Sequence, residues 1–130
     1  MIPSAMDSIE ALALAIRESL ERYESDGVRL RLVRQFLMDS EGPEVAVRIA
    51  TEPAATGSVQ WDALLAGIAE YVAHHAGVRT PPWSVAPSRF LTTRWFLMPY
   101  PALHGTALAE TPAALANRGV FIRRASLVNT

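Results

Sequence analysis

The sequence contains no cysteine and no lysine. The first absence excludes disulfide scaffolds, thiolate zinc sites and cysteine nucleophiles. It also fits a reducing compartment, so a cytoplasmic location is expected. The second absence makes all twelve cations arginine, the side chain that pairs bidentately with carboxylates and stacks on aromatic faces. Together with twenty-one alanines, this arginine bias also matches a GC-rich genome. Long apolar runs are missing as well. The longest, Ala11–Ile16, has six residues and falls far short of a membrane span. Met1-Ile2-Pro3-Ser4-Ala5 has neither the basic nor the apolar region of a signal peptide, and no membrane partner is expected.

What is present suffices for a real core. Half of the 130 residues are apolar and 19% are charged, which excludes wholesale disorder. A chain of this length makes one domain, residues 1–130, that buries about two-thirds of its extended surface. The net charge of −1 conceals a split. Residues 1–70 hold twelve acids and six arginines, a balance of −6. Residues 71–130 hold six arginines against the single acid Glu110, a balance of +5.

The periodicity predicts a mainly α-helical domain in three parts: an amphipathic helix in 1–27, a helical front half in 28–76, and a basic, aromatic back half in 77–130. In the first, Asp7 and Glu10 form a capping box. Ile9, Leu12, Ala13, Ile16, Leu20 and Tyr23 follow as one stripe, with Gly27 as the stop. Leu14 and Ala15 flank that stripe and offer a homodimer contact. A second helix is predicted over Val28–Met38, with Val28, Leu32, Val33, Phe36 and Leu37 inward and Arg29, Arg31 and Arg34 elsewhere. For 43–50, Pro43-Glu44 favours a short helix, while the alternation of Val45, Val47 and Ile49 is the competing strand pattern. Ser58 caps a long helix, Val59–Ala76, that Gly77 ends. Its inward face is Trp61, Leu64, Leu65, Ile68, Tyr71, Val72 and His75. Prolines then limit the back half to short helices at Pro87–Phe96, Pro101–Glu110 and Pro112–Asn117, the last capped by Thr111 and stopped by Gly119. At most a short extended segment is expected, at Val120-Phe121-Ile122.

Catalytic patterns are absent. His74 and His75 are adjacent and point about 100° apart on a helix of 3.6 residues per turn, so they cannot chelate one ion. His104 has no nearby acid in sequence to orient it. The carboxylates lie on solvated faces of the front half, without a pair in contrasting environments. No nucleophile elbow or phosphate loop is present. Gly57-Ser58 leads only to Asp62, without the acid pair of a nucleotidyltransferase. The chain therefore reads as non-catalytic, with no metal and no cofactor. The basic back half offers two surfaces. Arginines interleaved with aromatics suit nucleic acid, and Arg118 to Arg124 bracket an apolar segment that suits an acidic protein.

Several motifs carry a family resemblance. They are Gln60-Trp61-Asp62 through Glu70, Pro82-Trp83, Arg89-Phe90-Leu91, Arg94-Trp95-Phe96, Thr111-Pro112-Ala113 and Arg118-Gly119-Val120-Phe121-Ile122. Over about residues 28–127 the chain resembles a C-terminal domain of actinobacterial proteins encoded beside AbiEii-type nucleotidyltransferase genes, in pairs regarded as toxin–antitoxin systems. Many relatives carry an Xre-type helix-turn-helix ahead of this domain. Here residues 1–27 read as one amphipathic helix instead, and Arg123-Arg124 stand where relatives tend to have an acid. The resemblance implies an antitoxin that neutralises a cognate nucleotidyltransferase by protein–protein contact, occluding its nucleotide or acceptor site. A nucleic-acid-binding regulator is the alternative. Partner contact is expected at Arg94, Trp95, Arg118, Phe121, Arg123 and Arg124.

Overall fold

A computed structural model describes residues 7–40, 42, 44–97, 104–122 and 127. Among them are six helices and one two-stranded parallel sheet, so the mainly α reading holds. Helix α1 (Ile9–Glu21) is capped by Ser8, not Asp7: the Ser8 hydroxyl accepts from the Ala11 amide at 3.1 Å. Asp7 lies one residue too early for that reach. Ile9, Leu12, Ala13 and Ile16 form the buried stripe as the spacing predicts, but Tyr23 does not join it. The helix stops at Arg22, and Tyr23 turns the chain with φ of 55°, its ring almost fully exposed. Gly27 is therefore no stop; it lies in the first turn of α2 (Asp26–Asp39).

α2 buries Val33 and Phe36 as expected, together with Arg29, which the helical spacing alone puts off the inward face. Helix α3 (Val45–Arg48) resolves the competing patterns at 43–50 towards helix, with only Val45 of its four residues buried.

The long helix α4 (Val59–Ala76) is the centre of the packing. Ser58 caps it by accepting from the Trp61 amide at 3.2 Å, and Gly77 ends it in the left-handed conformation. The Asp62 carboxylate accepts from the Thr56 amide and hydroxyl, which fixes the loop leading into the cap. Ser58→Ala is expected to lower stability by about 1 kcal/mol. The check is a fall in the urea midpoint at unchanged slope. Beyond the predicted face, α4 buries Ala63, Ala66, Gly67, Ala69 and Ala73. A helix apolar on nearly every side is an interior helix, and its small residues admit close neighbours. His75 is exposed rather than inward; its ring tilts against Tyr71 with centroids 4.4 Å apart.

After Gly77 the prolines act as expected on helix length but not on every helix position. Pro82–Val85 and Pro87–Arg89 are single 3₁₀ turns. No helix runs from Pro87 to Phe96. Phe90 turns extended (φ −118°, ψ 127°), and the chain enters strand β1 (Trp95–Phe96). β-Branched Thr92 and Thr93 favour this. Tertiary hydrogen bonds fix it: Leu91 donates to the Arg118 carbonyl at 3.0 Å and Trp95 to Gly119 at 2.8 Å. The last helices are α5 (His104–Glu110) and α6 (Ala113–Ala116), followed by β2 (Val120–Phe121) within the predicted extended segment. Of the helix expected over Pro101–Glu110, the part at 101–103 lies outside the described residues. Pro112 rather than Thr111 stands at the α6 cap. The Thr111 hydroxyl instead bridges Ala107 and Ile122, accepting from the Ile122 amide at 3.0 Å.

One apolar core runs from Ile9 on α1 through Phe36, Ile49, Trp61, Leu65 and Leu115 to Val120, Ile122 and Leu127. A small second cluster of Ala107 and Phe121, with Phe96 and Ala116 against it, sits beside it.

Candidate partner-binding site

The parallel pairing of β1 and β2, Trp95 with Val120 and Phe96 with Phe121, sorts the aromatic residues between two faces. Successive side chains of a strand point to opposite sides. Trp95 turns into the main core and meets Trp61 edge-to-face, centroids 5.2 Å apart at 74°. Val120 and Ile122 lie on that same inner side, fully buried. Phe96 and Phe121 take the other side and stack on each other at 5.1 Å and 20°. On Phe96 lies the His104 ring, nearly parallel at 4.0 Å. Over Phe121 lies the Arg94 guanidinium, 5.9 Å from the ring centroid. Leu108, 48% exposed, follows His104 by one helical turn and shares its face of α5.

The result is a ledge of stacked planar groups with a cation at one end and a leucine beside the other. Arg94 is exposed, Phe96 and His104 are half-buried, and Phe121 is covered by its neighbours. Such a surface offers flat apolar area, ring edges and a positive charge with few side-chain rotations left to freeze.

The residues expected to contact a partner are thus divided. Arg94 and Phe121 belong to the ledge. Trp95 does not, because strand alternation sends it inward. Arg123 and Arg124 lie outside the described residues. Arg118 is a correction: its side chain is 1% exposed and faces no partner. It donates to Glu70 on α4 at 2.5 Å, to the Ala114 carbonyl at 2.7 Å and to the Ser84 carbonyl at 2.7 Å, and its guanidinium lies over Phe90. Arg89 is likewise turned in. It joins Glu52, the Asp62 carbonyl and the Pro53 carbonyl, 4.9 Å over Trp83. Arg29 reaches Asp26, Ser19 and the Glu24 carbonyl, over Trp61. Three arginines thus join separate segments by stacking on aromatic rings and binding carbonyls.

Elsewhere the surface offers less chemistry. An open groove of about 510 Å³ lies between α1 and the loop before α4, and its charged residues Arg17 and Glu21 pair with each other. A second of about 380 Å³ lies beside Arg89, already held by Glu52. Among the described residues, no group of three or more histidine, aspartate or glutamate side chains could hold a metal ion. No helix among them is long and apolar enough to cross a membrane. Comparison with family models, curated proteins and solved structures finds no match. The functional reading therefore rests on the ledge and its chemistry.

His104, Phe96 and Leu108 are the site residues that sequence reasoning missed. The i, i+4 spacing of His104 and Leu108 was visible, but the stack depends on the pairing of Phe96 with Phe121 across twenty-four intervening residues.

Proposed function

We propose that this chain is a non-catalytic binding protein of antitoxin type, which holds a nucleotidyltransferase-like protein by direct contact. The observation that supports a binding role is the exposed ledge formed by Arg94, Phe96, His104 and Leu108. Aromatic groups with an arginine at their edge are the composition of interface hot spots. The class of partner follows from the resemblance carried by the tryptophan- and proline-centred motifs. In this reading Arg94 meets an acidic rim on the partner, Arg123 and Arg124 add charge from the chain beyond Ile122, and the ledge covers the partner's nucleotide or acceptor site. Such contact places the protein in its partner's compartment, the cytoplasm.

Co-expression with the product of the adjacent gene, followed by pull-down and growth rescue, tests this. A stable complex and rescue are expected. Phe96→Asp or Arg94→Glu should weaken binding about 100-fold, the scale of a central hot-spot residue. Each variant must keep the wild-type urea midpoint to count. Absence of both complex and rescue would sink the reading. Steep loss of duplex-DNA binding between about 50 and 200 mM salt would favour the nucleic-acid alternative instead.

A further inference from the structure

We propose that a second copy of this chain docks on the α1–α2 hairpin. The two-fold axis runs along the helices, and Leu14 of each copy seats in a cavity formed by Arg31, Arg34, Gln35 and Met38 of the other. The contact uses none of the ledge residues and does not depend on the partner reading.

Two outward helix faces carry the inference. α1 turns Ile9, Leu12, Ala13 and Ile16 into the core, and opposite them Glu10, Leu14 and Glu18 recur every four residues. Leu14 is 58% exposed there, and both glutamates are exposed. On α2, opposite buried Val33, lie Arg31, Gln35 and Met38, all exposed, with half-buried Arg34 beside them. These four side chains border an open cavity of about 270 Å³. An apolar group of benzene size needs about 150 Å³, so one leucine fits. Among the described residues, Glu10, Glu18 and Arg31 have no ion-pair partner.

The two faces complement each other but not themselves. Pairing α1 with α1 sets glutamate against glutamate, and pairing α2 with α2 sets arginine against arginine. Only α1 on α2 brings opposite charges together. The register follows from the hairpin. Its turn, residues 22–25, is short enough to make the helices antiparallel neighbours, and Arg29 donates to Ser19 Oγ at 3.2 Å. Glu10, Leu14 and Glu18 therefore stand about level with Met38, Arg34 and Leu30. Rotation about an axis parallel to the helices leaves every level unchanged. It lays α1 of one copy antiparallel on α2 of the other, with Leu14 over the cavity, Glu18 beside Arg31 and Glu10 beyond Arg34. Met38 and the arginine stems receive the leucine, while the guanidiniums stay at the rim to meet the carboxylates. The hairpin face measures about 20 Å by 20 Å. Pairing then buries on the order of 1,000 Å² in total, the low end for specific association, and a dissociation constant on the order of 10–100 μM is expected.

Sedimentation equilibrium of the full chain from about 5 μM to about 1 mM tests this, the range spanning that constant. Mostly monomer is expected at the low end and mostly dimer at the high end. Leu14→Glu should leave a monomer throughout, since the symmetry repeats the lost contact. Glu18→Arg and Arg31→Glu should each weaken association about tenfold, with two reversed exposed pairs per dimer. Mixing these two variants should restore it, because each then meets an opposite charge at both contacts. All three positions are exposed, so the variants should keep the wild-type urea midpoint. Should Leu14→Glu lower that midpoint, Leu14→Ala takes its place, with a smaller loss expected. A monomer at the highest concentration, a dimer that the Leu14 variant leaves intact, charge variants that associate like wild type, or no recovery on mixing each overturns the inference.

Discussion

Arg118→Ala is expected to lower the unfolding free energy by about 3–5 kcal/mol, the range for removing one partner of a buried ion pair. The guanidinium joins α4, the Pro82–Val85 turn and α6 through Glu70, the Ser84 carbonyl and the Ala114 carbonyl. Its removal leaves two carbonyls without their donor and a void against Phe90. Each buried orphan costs about 1–3 kcal/mol. Glu70 keeps some contact with water at 20% exposure, so its carboxylate is not stranded as a fully buried one would be. Glu70→Gln should therefore cost less than Arg118→Ala, because the carbonyls still hold the guanidinium. Arg118→Lys should recover less than half of the loss, since one ammonium cannot span three segments. Urea unfolding measures all three. Should the alanine variant fail to fold, the lysine and glutamine variants carry the comparison. A loss below about 1 kcal/mol for Arg118→Ala would falsify its structural role, because that is the scale of an exposed pair.

This role changes the meaning of the uneven charge along the chain. Twelve acids before residue 71 and six arginines after it suggested a basic face for a partner. In the fold, Arg89 pairs with Glu52 and Arg118 with Glu70. Two cations of the back half thus neutralise two acids of the front half, and the split records how the halves join. Sequence could not show this, because burial of an arginine depends on carbonyls and rings brought from several segments. Adjacency in sequence did not announce it: the rings beneath Arg29, Arg89 and Arg118 are Trp61, Trp83 and Phe90, none of them next to its arginine, while Arg94, adjacent to Trp95, is exposed.

Local rules succeeded where the competing choices were few. Ser58 and Gly77 bound α4 as predicted, since a serine before an amphipathic run and a glycine after it have one natural use each. At α1 the adjacent Asp7 and Ser8 both satisfy the capping rule, and one residue of register decided it. Gly27 failed as a stop because Tyr23 adopts positive φ, which its own sequence does not announce. The Pro87–Phe96 error has a different origin. A proline at a first turn permits a helix, but the Arg118 and Gly119 carbonyls drew that segment into an extended path. The site was legible as a set of residue types, arginine with aromatics. Which of them face outward was set by one parallel pairing.

Gly67 carries the second large expectation, and its direction is the reverse of a propensity argument. In an exposed helix interior, glycine to alanine gains about 1 kcal/mol. Here a Cβ would approach Leu115 Cδ2 more closely than real Cβ atoms do, with Leu115 Cγ at 3.2 Å and the Ala114 carbonyl at 3.3 Å. Leu115 is fully buried and α6 is held against α4 by Arg118, so neither can yield cheaply. Gly67→Ala should therefore lose about 2 kcal/mol, overpacking outweighing propensity. Gly67→Val should lose more, because branching at Cβ adds volume at the closest point. The control is a double-mutant cycle. Leu115→Ala alone should cost about 2–5 kcal/mol through the cavity it leaves. Combined with Gly67→Ala it should cost at least about 1 kcal/mol less than the sum, since the added methyl occupies that cavity. Additive losses would mean that α6 shifts freely on α4. That outcome would also bear on the ledge, because α6 leads through Arg118 and Gly119 directly into β2, and a free α6 could not hold Phe121 in register with Phe96.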